Sequence, residues 1–217
     1  MPNVKERPFD RVHDTQFIYR QLLEALARPG QIGSIAAASA RVEAASPLLA
    51  TATCFALTLL DGEVGFAVAM EAEKEALEAH IRRQTFSRIA ALPEVDYVFA
   101  SGGEAPERIE ALLAQVKKGT LIRPEGGAIL FVLVEGFESF EPGQSPEACW
   151  TLSGPGIKDT CRLCVQGLSP VWMEQRALAN AEYPMGVDLV LYTVSGELAA
   201  LPRTTQVHVQ AQEKGVR

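Results

Sequence analysis

The chain has 217 residues, with 27 acidic side chains against 20 basic ones, a net charge of −7 and 47% hydrophobic residues. A chain of this length buries roughly 70% of its unfolded surface and needs no disulfide staples, and this composition is that of a soluble globular protein. The negative field argues against nucleic acid or an anionic membrane as the main partner, but it leaves room for a local arginine cluster that holds a phosphate.

Met1 to Asp10 is polar and lacks the apolar core of a secretory signal. Asp14 reads as the N-cap of a helix over Thr15 to Ala27, with Ile18, Leu22, Leu23 and Leu26 as its apolar stripe. Arg28-Pro29-Gly30 ends that helix in a type II turn. Ser46-Pro47 reads as N-cap and first residue of a second helix that reaches Asp61-Gly62 and is apolar all round, hence buried. Its apolar run from Leu48 to Leu60 is too short to cross a bilayer and is broken by Thr51, Thr53 and Thr58. A cytoplasmic protein is expected.

Val64, Phe66, Val68 and Met70 alternate with small residues at strand spacing. A charged helix over Glu71 to Gln84, a strand at Val95 to Ala100 and a helix at Pro106 to Val116 follow. Ala128 to Glu135 is apolar without alternation, as in a central strand covered on both faces. Gly136 to Pro146 reads as a surface loop, with strands at Cys149–Leu152 and Thr160–Val165 after it. Ser169-Pro170 opens a helix, and Val187–Val194 and Glu197–Leu201 are the last two strands. The pattern predicts a single α/β domain over 1–217, a mixed β-sheet covered by helices.

The chemistry-bearing residues are sparse. His13, His80 and His208 lie far apart with no ligand spacing between them, so no metal site is expected. His13-Asp14 reads as a helix entrance rather than an acid–base pair. Cys161 and Cys164 form a Cys-x-x-Cys pair, but on a strand their thiols diverge, and Cys54 and Cys149 are isolated; structural cysteines are expected, against a zinc or redox alternative. Ser153 stands outside a Gly-x-Ser-x-Gly elbow, and Gly154-Pro155-Gly156 reads as a tight turn rather than a phosphate cradle.

The run Tyr183-Pro184-Met185-Gly186-Val187-Asp188-Leu189-Val190-Leu191, followed by Leu201-Pro202-Arg203-Thr204-Thr205, carries the most information. A carboxylate in an apolar strand needs a cation or several donors beside it, and Arg203 is the nearest cation in sequence. Asp188 is expected to orient Arg203, with Thr204 and Thr205 adding neutral donors for an anionic ligand or a partner's backbone. Arg20 and Arg82 are possible further contributors, since guanidinium groups bind phosphate and phosphonate oxygens through paired donors.

These two runs resemble the C-terminal signature of the PhnH family, the H subunit of bacterial carbon–phosphorus lyase. His13-Asp14-Thr15-Gln16, Tyr19-Arg20-Gln21-Leu22-Leu23 and Ala27-Arg28-Pro29-Gly30 are similar to its opening helix and turn. Gly119-Thr120, Pro124-Glu125-Gly126-Gly127-Ala128 and Leu152-Ser153-Gly154-Pro155-Gly156-Ile157 resemble its central motifs, in the same order, covering roughly residues 9–209. One departure is Arg82-Arg83-Gln84-Thr85, where the family commonly carries Arg-x-His-Thr.

The resemblance implies a fold related to the pyridoxal-phosphate-dependent transferases but without the cofactor. Lys5, Lys74, Lys117, Lys118, Lys158 and Lys214 stand in charged or loop-like surroundings, none resembling a Schiff-base site. It also implies an auxiliary, rather than autonomous, part of a multisubunit transferase that breaks down organic phosphonates. In that step, with the G and I subunits and supported by L, methylphosphonate replaces the adenine of ATP to give ribose 1-methylphosphonate 5-triphosphate. The implied partners are the G, I and J subunits and a second copy of the chain. The competing reading is a stand-alone enzyme acting on a phosphorylated small molecule through Asp188 and the arginines.

Overall fold

The computed structural model describes residues 7–138 and 149–209. Its elements in chain order are α1 (His13–Ala27), β1 (Gly33–Ser34), α2 (Ala36–Ser39), α3 (Pro47–Leu59), β2 (Gly65–Ala69), α4 (Lys74–Thr85), β3 (Arg88–Ile89), β4 (Tyr97–Ser101) and α5 (Pro106–Gln115). They continue with β5 (Ile129–Leu133), β6 (Gly136–Glu138), β7 (Cys149–Ser153), β8 (Cys161–Gln166), α6 (Val171–Ala179), β9 (Asp188–Tyr192), β10 (Glu197–Leu201) and β11 (Gln206–Val209).

The described residues form two sheets, not one. The larger has the order β1-β10-β9-β5-β4-β2-β3 and the smaller, antiparallel one β11-β7-β8-β6. β9, β5, β4, β2 and β3 run parallel, while β10 pairs antiparallel with both β9 and β1, so the larger sheet is mixed as expected. Alternation along each strand sends residues to two cores. Phe66, Val68, Phe99, Phe131 and Tyr192 face α1, α3 and α4, while Ala67, Val98, Leu130 and Leu191 face α5, α6 and the second sheet. β5 sits in the middle, which explains why its run lacks alternation.

Several boundaries need physical correction. α1 begins at His13, and its free amides are capped by Asp10, whose Oδ1 accepts from the backbone N–H of Val12 at 2.8 Å and of His13 at 3.0 Å. Asp14 is instead a buried carboxylate that accepts two guanidinium hydrogen bonds from Arg41, at 2.7 and 3.1 Å. Leu23 is exposed because the helix buries Ile18, Leu22 and Ala25. α4 starts three residues later than its charge pattern suggests, at Lys74. Gly136–Glu138 is an edge strand rather than the start of a loop, and the rest of that loop lies outside the described residues. The two-residue β1 and β3, the single-turn α2 and the terminal β11 are too short to show a period in the sequence.

Other local readings hold. Ser46 caps α3 by accepting from the Leu49 N–H, with Pro47 in the first turn. Gly30 takes φ +81° in the turn closed by Gln31 N–H donating to Arg28 O at 3.1 Å. Cys161 and Cys164 do diverge along β8, but Cys149 is not isolated: it lies opposite Cys164 in the β7–β8 register and forms a disulfide with it. No helix among the described residues is long and apolar enough to cross a membrane.

Candidate functional site

The antiparallel pairing of β9 and β10 sets Leu201 opposite Leu189, so the turn that follows β10 lands beside Asp188, the first residue of β9. That turn, Pro202 to Thr205, is closed by the Thr205 N–H donating to Pro202 O at 2.9 Å. Asp188 grips it twice. Its Oδ1 accepts from the Arg203 backbone N–H at 2.7 Å, and its Oδ2 accepts from Arg203 Nη2 at 2.6 Å, with Nε donating to both oxygens at 3.2 and 3.3 Å. Arg203 Nη1 donates to Pro124 O at 2.6 Å, tying the turn to the 3-10 turn Pro124–Gly126.

Two glycines make room for this. A Cβ on Gly127 would fall 2.1 Å from Gly186 O and 2.9 Å from Arg203 Nη1, so the guanidinium lies against bare backbone. A Cβ on Gly156, at φ +83°, would fall 2.1 Å from Ala27 O. The Gly154–Ile157 turn therefore packs directly on the end of α1. The Arg28-Pro29-Gly30, Gly154-Pro155-Gly156, Pro124–Ala128 and Pro202–Thr205 segments converge at one end of the molecule.

A second guanidinium holds the turn from inside. Arg176 of α6 is 3% exposed, and its Nη2 donates to the carbonyls of Leu201, Pro202 and Thr205. Burial pushes the Arg176 guanidinium down to about 10, and the nearby Asp188 charge acts against that shift. Arg176 Nε and Thr205 Oγ1 are buried and have no hydrogen-bond partner among the described residues. No periodic or turn signal marked Arg176, since an arginine in an amphipathic helix reads as surface.

Asp96, just before β4, lies at the same end of the strands as Asp188, since β4 and β9 both run parallel to β5. Its Oδ1 accepts from Lys117 Nζ at 2.7 Å and its Oδ2 from the Gly65 N–H at 2.8 Å. Burial alone would raise its pKa, but those two donors and the Lys117 and Arg88 charges hold it below the ordinary carboxylate value. Lys117 is thereby engaged, Lys118 donates to Ala114 O, and Lys74 faces Glu78, while Lys5 and Lys214 lie outside the described residues.

The structure thus brings Asp188, Arg203, Thr204 and Thr205 together. Arg20, exposed on α1, and Arg82, exposed on α4, are not among the contacts of that turn. Gln84 accepts from Arg11 Nη2 at 3.1 Å and ties the chain before α1 to α4. A pair absent from the sequence reading is Ser153 Oγ and His208 Nε2, 3.1 Å apart on neighbouring strands β7 and β11. Among the described residues no cluster of three or more His, Cys, Asp or Glu side chains gathers as a metal site. Chemically, the turn is a fixed cationic element: three of the five Arg203 side-chain N–H groups are used internally, which sets the guanidinium in one orientation.

Fold and site together define a two-sheet α/β protein whose most constrained end is a group of turns held by guanidinium bonds. The chain belongs to the bacterial phosphonate metabolism protein (PhnH) family, whose model matches residues 8–208. It is 35% identical over 196 residues to a Stutzerimonas stutzeri protein named C-P lyase subunit protein HtxG, an alignment covering 90% of this chain and 86% of that one. It is 30% identical over 201 residues to the alpha-D-ribose 1-methylphosphonate 5-triphosphate synthase subunit PhnH of Rhizobium meliloti strain 1021, covering 91% and 92% of the two chains.

Proposed function

We propose that this chain is a supporting subunit of a carbon–phosphorus lyase system for organic phosphonates. It serves the transferase step in which methylphosphonate replaces the adenine of ATP, giving ribose 1-methylphosphonate 5-triphosphate. The observation that carries this is the family match over residues 8–208, together with relatives named as subunits of that machinery. The convergence of the family-like motifs into one clamped end supports a docking role: the half-buried Arg203 and Thr204 lie on a turn whose charges are already paired internally, while Thr205 is buried behind them. Its partners are the G, I and J subunits, and it self-associates as a homodimer. It works in the cytoplasm as a single domain, related to the pyridoxal-phosphate transferases but without their cofactor.

Deleting the gene is expected to abolish growth on methylphosphonate as sole phosphorus source, and normal growth would sink the assignment. Affinity purification of the tagged chain from cells grown on methylphosphonate is expected to bring down the companion subunits. Adenine release from ATP and methylphosphonate by the isolated chain would instead establish a stand-alone enzyme.

A further inference from the structure

The end of α4 and the edge strand β3 enclose an open cleft of about 830 Å³, lined by Arg82, Arg83, Phe86, Arg88 and Ile89 among others. This volume falls in the range of small-molecule sites. All three guanidinium groups are exposed, and none lies within ion-pair distance of a carboxylate among the described residues. In a chain with an excess of seven acidic over basic residues, three unneutralised arginines on one concavity are not the average surface. Asp96 feels the Arg88 charge but is already bonded to Lys117 and the Gly65 N–H.

The cleft is braced from beneath. Arg83 Nη2 lies 3.4 Å from Nδ1 of His80, which is 7% exposed. Burial and the Arg83 charge hold the His80 pKa below its ordinary value, so the ring is neutral and accepts through Nδ1. Its Nε2 is buried without a partner among the described residues. Beside the guanidinium groups stands Phe86, 83% exposed and at φ +61°, a left-handed conformation uncommon for a bulky residue. It ends α4 as a left-handed cap, its N–H donating to Arg82 O at 2.9 Å, and this leaves a bare aromatic ring at the rim of the cleft.

Three cationic forks engage more oxygens than one phosphate offers, and an exposed ring beside them offers stacking to a flat group. We infer that this cleft binds a nucleoside triphosphate, its phosphates on Arg82, Arg83 and Arg88 and its base on Phe86. The site is distinct from the Arg203 turn; the choice of an adenine nucleotide as probe rests on the proposed function, whereas the geometry does not.

The test is calorimetric titration of the purified full-length chain, at low and at moderate salt, with ATP, inorganic tripolyphosphate and adenosine. ATP is expected to bind, more weakly as salt rises, and adenosine alone to give no heat. Arg82→Gln with Arg88→Gln, which keep polar side chains of similar reach, should weaken ATP by about tenfold per lost guanidinium without shifting the Tm. Phe86→Ala should weaken ATP by about tenfold and leave tripolyphosphate unchanged. Absence of ATP binding at millimolar concentration, or binding indifferent to the arginine variants, overturns the inference. Tripolyphosphate binding as tightly as ATP, with no effect of Phe86→Ala, overturns the nucleotide assignment. Unaltered ATP binding with loss of companion subunits in the purification shows a protein-docking face instead. The titration needs neither the strain nor its growth phenotype, so it fails separately from the functional assignment.

Discussion

Asp188 and Arg203 are joined through both the backbone amide and the guanidinium of the arginine, so one carboxylate fixes the start of β9 against the turn after β10. Their side chains are 18% and 13% exposed, which places the pair away from most solvent screening. Arg203→Ala leaves Asp188 without its cation and removes one of the two donors to Pro124 O, the other being the Gly127 N–H, and is expected to cost about 2–4 kcal/mol in urea unfolding. Arg203→Lys restores a charge but not the fork, and should recover less than half of that loss. If the turn also docks a partner, complex assembly by the lysine variant falls further than its stability does.

Gly127→Ala probes the same clamp from the other side. Its Cβ meets the Gly186 carbonyl at 2.1 Å and Arg203 Nη1 at 2.9 Å, and the first of these is backbone that cannot turn away. The expected outcome is a loss of about 2 kcal/mol or more in unfolding free energy. A Gly126→Ala control, whose nearest contact is the Lys117 Cε at 4.0 Å, should stay near wild type. Equal stability of the two variants would show that Arg203 does not depend on the bare backbone.

Most of the fold was legible because its long elements carry strong periods. The continuous apolar run of β5 marked a central strand, the alternation with small residues marked β2 as a strand, and Ser46-Pro47 marked α3. The second sheet was not legible as a sheet, because β6 and β11 are short edge strands whose pairing is set by distant partners. The Asp188–Arg203 contact could be argued from the cost of a lone carboxylate in a strand. Arg176 could not, because its partners are three backbone carbonyls and any sequence supplies those. Asp14 misled for a related reason: a helix-entrance carboxylate reads as a cap, and nothing local shows that Arg41, 27 residues on, will claim it.

Asp14 supplies a pH test. Burial opposes its ionisation, but the Arg41 hydrogen bonds, the Asp10 N–H and the Arg41 and Arg7 charges override that and hold its pKa below the ordinary carboxylate value. A depressed folded pKa means stability that is fully present above the unfolded value and lost as pH falls through the folded one. Asp14→Asn is therefore expected to cost about 3 kcal/mol at neutral pH. It should also flatten the decline in stability of the wild type below about pH 4. Parallel acid limbs in chemical denaturation from pH 2 to 7 would show that Asp14 does not carry that dependence.

The Cys149–Cys164 bond makes a prediction about the thiols themselves. The two residues face each other across adjacent antiparallel strands, while Cys54 is buried in α3 and Cys161 is free and half-buried. Burial raises the Cys54 thiol to about 12, so it should stay unreactive in the native protein at neutral pH. Thiol titration of the denatured, unreduced chain should therefore find two free cysteines, rising to four after reduction. The bond closes a loop of 15 residues, for which loop entropy gives at most about 3 kcal/mol of stabilisation. Reduced protein and the Cys149→Ser, Cys164→Ser double variant should both lose up to that amount, yet stay folded, because both cores are assembled from apolar residues on the strands and helices. Four free thiols in the denatured, unreduced protein from an oxidising preparation would refute the pairing.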